Sequence, residues 1–114
     1  MRLALTLVSL ASLVVAACSS PPKATPEAAT KACVRHIELG FWKGFEASLV
    51  DKGVALDDAT RAEGKARLTE VIASDEGKAQ IAKCVDGYTK LATMAQVECI
   101  SAAATTEAAA ACVK

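Results

Sequence analysis

The chain has 114 residues, with 13 basic and 13 acidic side chains and a hydrophobic fraction of 53% that 25 alanines inflate. That length allows one domain, and a chain near neutrality with no basic stripe has nothing to follow a phosphate backbone, which excludes nucleic acid as a partner. Alanine is the best helix former and a poor core filler, and only Phe41, Trp42, Phe45 and Tyr88 are aromatic, so the composition favours closely approaching helices over a sheet.

In chain order, Met1-Arg2 supplies a short positive start, and Leu3 to Ala17 form an apolar run of 15 residues broken only by Thr6, Ser9 and Ser12. A membrane-spanning helix needs roughly 20 apolar residues. The run therefore has the length of a signal-peptide core. It ends in Leu13-Val14-Val15-Ala16-Ala17-Cys18, where two small residues precede a cysteine.

This arrangement resembles the lipobox of bacterial lipoproteins, an aliphatic residue, two small residues and cysteine. The resemblance implies that residues 1–17 are a removed signal peptide cut between Ala17 and Cys18. It also implies that the Cys18 thiol carries a diacylglyceryl group and the new amine an acyl chain such as palmitate, with no separate cofactor. A single chain anchors only marginally at roughly 0.8 kcal/mol per methylene, whereas two or three hold a protein on its membrane. Ser19 after the lipidated cysteine favours the outer membrane of a Gram-negative envelope, facing the periplasm or the cell surface.

Cleavage leaves 12 basic and 13 acidic residues, a formal charge near −1. Residues 18–25 read as a lipidated tether, because Pro21 and Pro22 favour extended backbone and the stretch has no apolar period. At about 3.1 to 3.3 Å per residue it spaces the domain roughly 20 Å from the membrane.

Residues 26–114 read as a helical domain. Thr25-Pro26-Glu27 is a helix start, with Cys33, Val34, Ile37, Phe41, Phe45 and Leu49 recurring on one face until Asp51-Lys52-Gly53 ends it near Val50. Asp57 caps a second helix carrying Ala62, Ala66, Leu68, Val71 and Ile72 inward and Arg61, Lys65 and Arg67 outward. Ser74-Asp75-Glu76 begins a third, with Ile81, Cys84, Val85, Tyr88, Leu91 and Ala92 on its apolar face. Thr93 caps a fourth through about Ala103, and Thr105 a short fifth. No alternating segment competes, so the expected fold is all-α, a small disulfide-stapled bundle of about four to five helices after a signal peptide and short tether.

With Cys18 assigned to lipid, Cys33, Cys84, Cys99 and Cys112 remain, an even set in a small exported domain, which points to two disulfides. Zinc bound by these thiolates, or by three of them with His36, is disfavoured because the intervening gaps hold 50, 14 and 12 residues and lack paired C-x₂₋₄-C spacing. Three pairings remain open. Cys33–Cys84 with Cys99–Cys112 is preferred, since it staples the first helix to the third and closes the last two as a hairpin, which requires a reversal at Ala104-Thr105-Thr106. The run Val97-Glu98-Cys99-Ile100 through Ala111-Cys112, with Cys33 and Cys84 upstream, resembles small four-cysteine helical lipoproteins of Gram-negative bacteria whose activity is uncharacterised. That likeness implies a disulfide framework and no mechanism.

Few residues point to chemistry. His36 is the only histidine, no H-E-x-x-H, G-x-S-x-G or phosphate-binding glycine loop occurs, and Asp57-Asp58 and Asp75-Glu76 read as helix-start charges. The expectation is a protein without enzymatic activity or a metal. Gly40-Phe41-Trp42-Lys43-Gly44-Phe45 is the most distinctive segment, readable as core packing or as an exposed aromatic edge for a partner. Two functions are therefore expected as alternatives: an interaction module for another envelope protein around Phe41, Trp42 and Phe45, or a carrier or sensor of a small apolar ligand in a cavity lined by Phe41, Phe45, Ile81 and Leu91. A structural role in the envelope is the third.

Overall fold

The computed structural model describes residues 20–114. The expected signal peptide, with the cleavage site expected at Ala17 and the lipid expected on Cys18, lies outside them. The described chain forms five helices: α1 Pro26–Lys52, α2 Asp58–Ala73, α3 Asp75–Leu91, α4 Met94–Ala102 and α5 Thr106–Ala111.

Each helix begins where a short polar side chain can satisfy an otherwise unpaired amide. Thr25, Asp57, Ser74, Thr93 and Thr105 accept from the backbone N–H of Ala28, Thr60, Gly77, Gln96 and Ala108. At Thr93 the Gln96 side chain also returns a bond to the cap amide, completing a capping box. The Asp57 carboxyl is held below its usual range by its bonds from Thr60, so its contribution is present above the ordinary carboxylate pKa and is lost on acidification. At the other end of α1, Gly53 adopts φ 65° and its amide reaches back to Leu49 and Val50, so the helix runs two residues past Val50.

Contacts walk along α1 in a consistent order. α2 and α3 retreat down it, with Gly64 against Trp42 and Phe45, Cys84 bonded to Cys33, and Ala92 paired with Ala24. α4 then turns and climbs back up a second side, with Met94 beside Thr25, Arg35 donating to the Ala103 carbonyl at 2.9 Å, and Lys43 reaching Glu107. α1 is thus the central rod, and it buries Ala29, Ala32, Cys33 and Leu39 rather than one stripe.

The core is built largely from alanine. Ala24, Ala32, Ala92, Ala103 and Ala109 surround Leu39, Val97 and Ile100, and the largest fully buried side chains are Ile100, Val97 and Cys33. Small side chains let helix backbones approach closely but bury little area each, so the hydrophobic gain per residue is modest. Two disulfides reinforce it: Cys33–Cys84, with Cα atoms 6.0 Å apart, joins α1 to α3, and Cys99–Cys112, at 5.8 Å, joins α4 to the end of α5.

Several sequence expectations need correction. On α2 the inward row is Thr60, Gly64, Leu68 and Ile72, spaced by four, while Ala62, Ala66 and Val71 are exposed. Gly64 stands where α2 meets the aromatic rings, so packing follows the residue without a side chain. Leu91, expected on the buried face of α3, is 89% exposed because α3 ends there and α4 turns away. In the tether segment, Pro22 to Ala24 belongs to the folded body. The Pro22 carbonyl accepts from Met94 at 2.9 Å, the Ala24 amide donates to Ala92 at 3.0 Å, and Lys23 bridges Thr93 in antiparallel fashion.

Candidate functional site

The aromatic segment lies midway along α1. Phe41 and Phe45, one turn apart, stack with centroids 5.6 Å apart, and Trp42 sets its ring nearly perpendicular to both at 5.5 Å. Such edge-to-face pairs are worth about 0.5 to 1.5 kcal/mol beyond their buried area. α2 presses on this cluster through Gly64, where a Cβ would fall 2.8 Å from two Trp42 ring carbons and 3.0 Å from Phe45. Gly40 and Gly44 face open space, with nothing within 4 Å of an added Cβ.

Trp42 is therefore half-buried. One edge of its ring is covered by α2, and the rest forms the floor of an open groove of about 350 Å³, with Leu39, Glu46, Leu56, Arg61 and Lys65 around it. A second groove of about 250 Å³ shares Leu39, Trp42, Glu46 and Ala104 and continues to Thr105, Thr106 and Glu107. Together they make a trough across α1, between α2 and the α4–α5 corner. Its apolar floor is Leu39, Leu56 and Trp42.

The charges around the trough differ in how they are engaged. Arg35 is fixed by the Ala103 carbonyl and by Glu38 at 3.2 Å, and Lys43 by Glu107 at 2.8 Å. Arg61 and Lys65, one turn apart on α2, make no ion pair among the described residues. They face the trough as available cations.

The Lys43–Glu107 contact closes the far wall. The hydrogen bond from the Lys43 ammonium, with further bonds from the Glu107 amide and Thr106, lowers the Glu107 carboxyl from 4.5 to about 2. A depressed carboxylate stabilises the fold above its ordinary pKa, and that contribution is lost as pH falls through about 2. Both groups are well exposed, so solvent screening keeps the energetic effect small. Side-chain carbonyl NMR is expected to place the Glu107 midpoint near 2 and to return it toward 4.5 in Lys43→Met. Identical midpoints in the two proteins would refute the contact.

The lone histidine plays a local part. His36 hydrogen-bonds through Nε2 to the Tyr88 hydroxyl, and the two rings stack with centroids 5.9 Å apart. Lying three residues after Cys33 and four after Cys84, this pair forms a polar rung beside the α1–α3 disulfide. Burial pushes the Tyr88 hydroxyl pKa up. Among the described residues no three or more His, Cys, Asp or Glu side chains converge in a metal-holding group. The four cysteines are consumed by disulfides, so they are not thiolate ligands.

Three of the residues expected to line a carrier cavity, Phe41, Phe45 and Leu91, stand in two different places. Phe41 and Phe45 stack on one another, whereas Leu91 stands at the α3–α4 corner beside a different groove. Trp42 stands out in the sequence, whereas Gly64, Leu39 and Leu56 carry no such signal and Arg61 and Lys65 read there as outward-facing. Their i, i+4 spacing on α2 was the available signal. No protein-family model, curated protein or solved structure matches the chain.

Proposed function

We propose that this chain is an envelope lipoprotein anchored through lipid on Cys18, and that its helical domain is a non-enzymatic module that holds a segment of another envelope protein in the Trp42 trough. The single observation that carries the interaction reading is the form of that trough, an open groove with a half-buried tryptophan on its floor and the unpaired Arg61 and Lys65 on its wall. Half-buried tryptophan next to arginine is the composition of interface hot spots. The cations favour a partner segment that carries a carboxylate beside an apolar side chain. The anchoring part rests on the order of positive start, apolar run and Ala16-Ala17-Cys18. Ser19 supports delivery to an outer membrane.

The test is capture of envelope proteins by the lipidated chain, compared with Trp42→Ala and with Arg61→Glu/Lys65→Glu. A partner lost from both variants but kept by Gly44→Ala supports the trough, with an affinity loss of about 2 kcal/mol, roughly thirtyfold, for Trp42→Ala. Thermal melts of each variant separate loss of contact from loss of fold. An unchanged partner list in a folded Trp42→Ala protein would sink the trough as the interaction site.

A further inference from the structure

We infer that the α3–α4 corner docks on the bilayer that holds the lipid anchor, with Leu91 entering the membrane interface; this rests on the lipidation of Cys18 proposed above. A singly exposed apolar residue needs no explanation. Leu91, however, is 89% exposed and has company: Val113, 50% exposed, flanks the same groove of about 450 Å³, completed by Gly87, Tyr88, Ala92 and Gln96. This apolar surface sits at one end of the bundle.

The place where the chain joins that end decides what covers it. Because Pro22 is hydrogen-bonded to Met94, only four residue steps separate it from Cys18, a reach of at most about 14 Å. The Ala24–Ala92 pair puts Leu91 within about 16 Å of Pro22 by chain geometry. A lipid on Cys18 therefore brings the α3–α4 corner to the headgroups, whereas Val50, at the other end of α1, lies about 36 Å along the helix from Pro26. Lys23, Lys90 and Lys114 are exposed around the corner, with Asp86 pairing Lys90 at 2.9 Å and Glu27 the acid of the first α1 turn. Glu98 shares a groove with Glu27 and Met94, so charge at the corner is near balance and the apolar surface carries the docking. Burial of a leucine side chain favours the docked orientation by about tenfold or more.

The test uses the mature lipidated chain, methyl-labelled, in nanodiscs of phosphatidylethanolamine and phosphatidylglycerol that carry a gadolinium chelate on a fraction of headgroups. The Leu91 and Val113 methyl signals are expected to broaden several-fold more than those of Val50 and Val54, exposed residues at the opposite end. Equal broadening at both ends, or stronger broadening at Val50, overturns the docking. Leu91→Asp is expected to shrink the difference; a full difference in that variant overturns the role of Leu91. A purified chain whose mass lacks the diacylglyceryl group overturns the anchoring reading itself, and this inference with it.

Discussion

Replacing Cys33 and Cys84 together with alanine is expected to lower the stability of the domain by about 4 kcal/mol, and replacing Cys99 and Cys112 by about 3 kcal/mol, measured by guanidinium unfolding at 25 °C. The ordering follows from loop length, since the first bridge closes a separation of 51 residues and the second one of 13. Cross-linking distant residues removes more freedom from the unfolded chain. Cys33 is also almost wholly buried, so its truncation leaves unfilled space beside Ala29 and Ala32. Against a total of about 5 to 15 kcal/mol for a domain of this size, loss of the α1–α3 bridge leaves a marginal fold. A larger loss from the Cys99–Cys112 pair would contradict the loop argument.

The second large effect is expected at Gly77, and it is sharpest as a contrast. α2 ends and α3 begins at Ser74, whose hydroxyl donates to the Val71 carbonyl at 2.6 Å and accepts from the Gly77 amide at 3.0 Å. One side chain closes one helix and opens the next. This corner is so tight that a Cβ on Gly77 would stand 2.0 Å from the Val71 oxygen and 3.1 Å from that of Ile72. Those are backbone atoms, and the Val71 oxygen cannot retreat without breaking its bond to Ser74. Gly77→Ala is expected to cost about 2 to 3 kcal/mol despite the better helix propensity of alanine. Gly44→Ala makes the same chemical change in open space and is expected to stabilise by about 0.5 to 1 kcal/mol. Thermal melts moving in the same direction for both variants would show that the corner relaxes.

Much of this architecture is legible in the residues. Thr25, Asp57, Ser74, Thr93 and Thr105 each stand before a helical period, and capping is local chemistry that needs no tertiary information. The fold class followed from those starts and from alanine. What escaped is tertiary. Ala29, Ala32 and Leu39 lie off the Cys33–Phe41–Leu49 row, and they are buried because α1 has partners on two sides, which blurs a one-sided pattern. Gly64 and Gly77 carry no hydrophobic signal, yet each is required by what lies against it. Leu91 satisfied the helical period and still faces water, since periodicity does not reveal where a neighbouring helix turns away. In the candidate site, Trp42 was legible by its rarity. The trough around it was not, because Leu56 and Ala104 reach it from loops and Arg61 from another helix.

The pairing of Pro22–Ala24 with Ala92–Met94 also fixes how the molecule bears mechanical load. Tension applied through the N-terminal segment meets two backbone hydrogen bonds at the α3–α4 corner before it reaches the first turn of α1. From that corner the force divides into α3, which Cys84 ties covalently to α1, and α4, which Cys99 ties covalently to the end of α5. The weak link is thus a short zipper that can open and reclose, and the helices behind it are stitched together. A pull strong enough to free the leading strand lengthens the N-terminal segment while leaving the body folded.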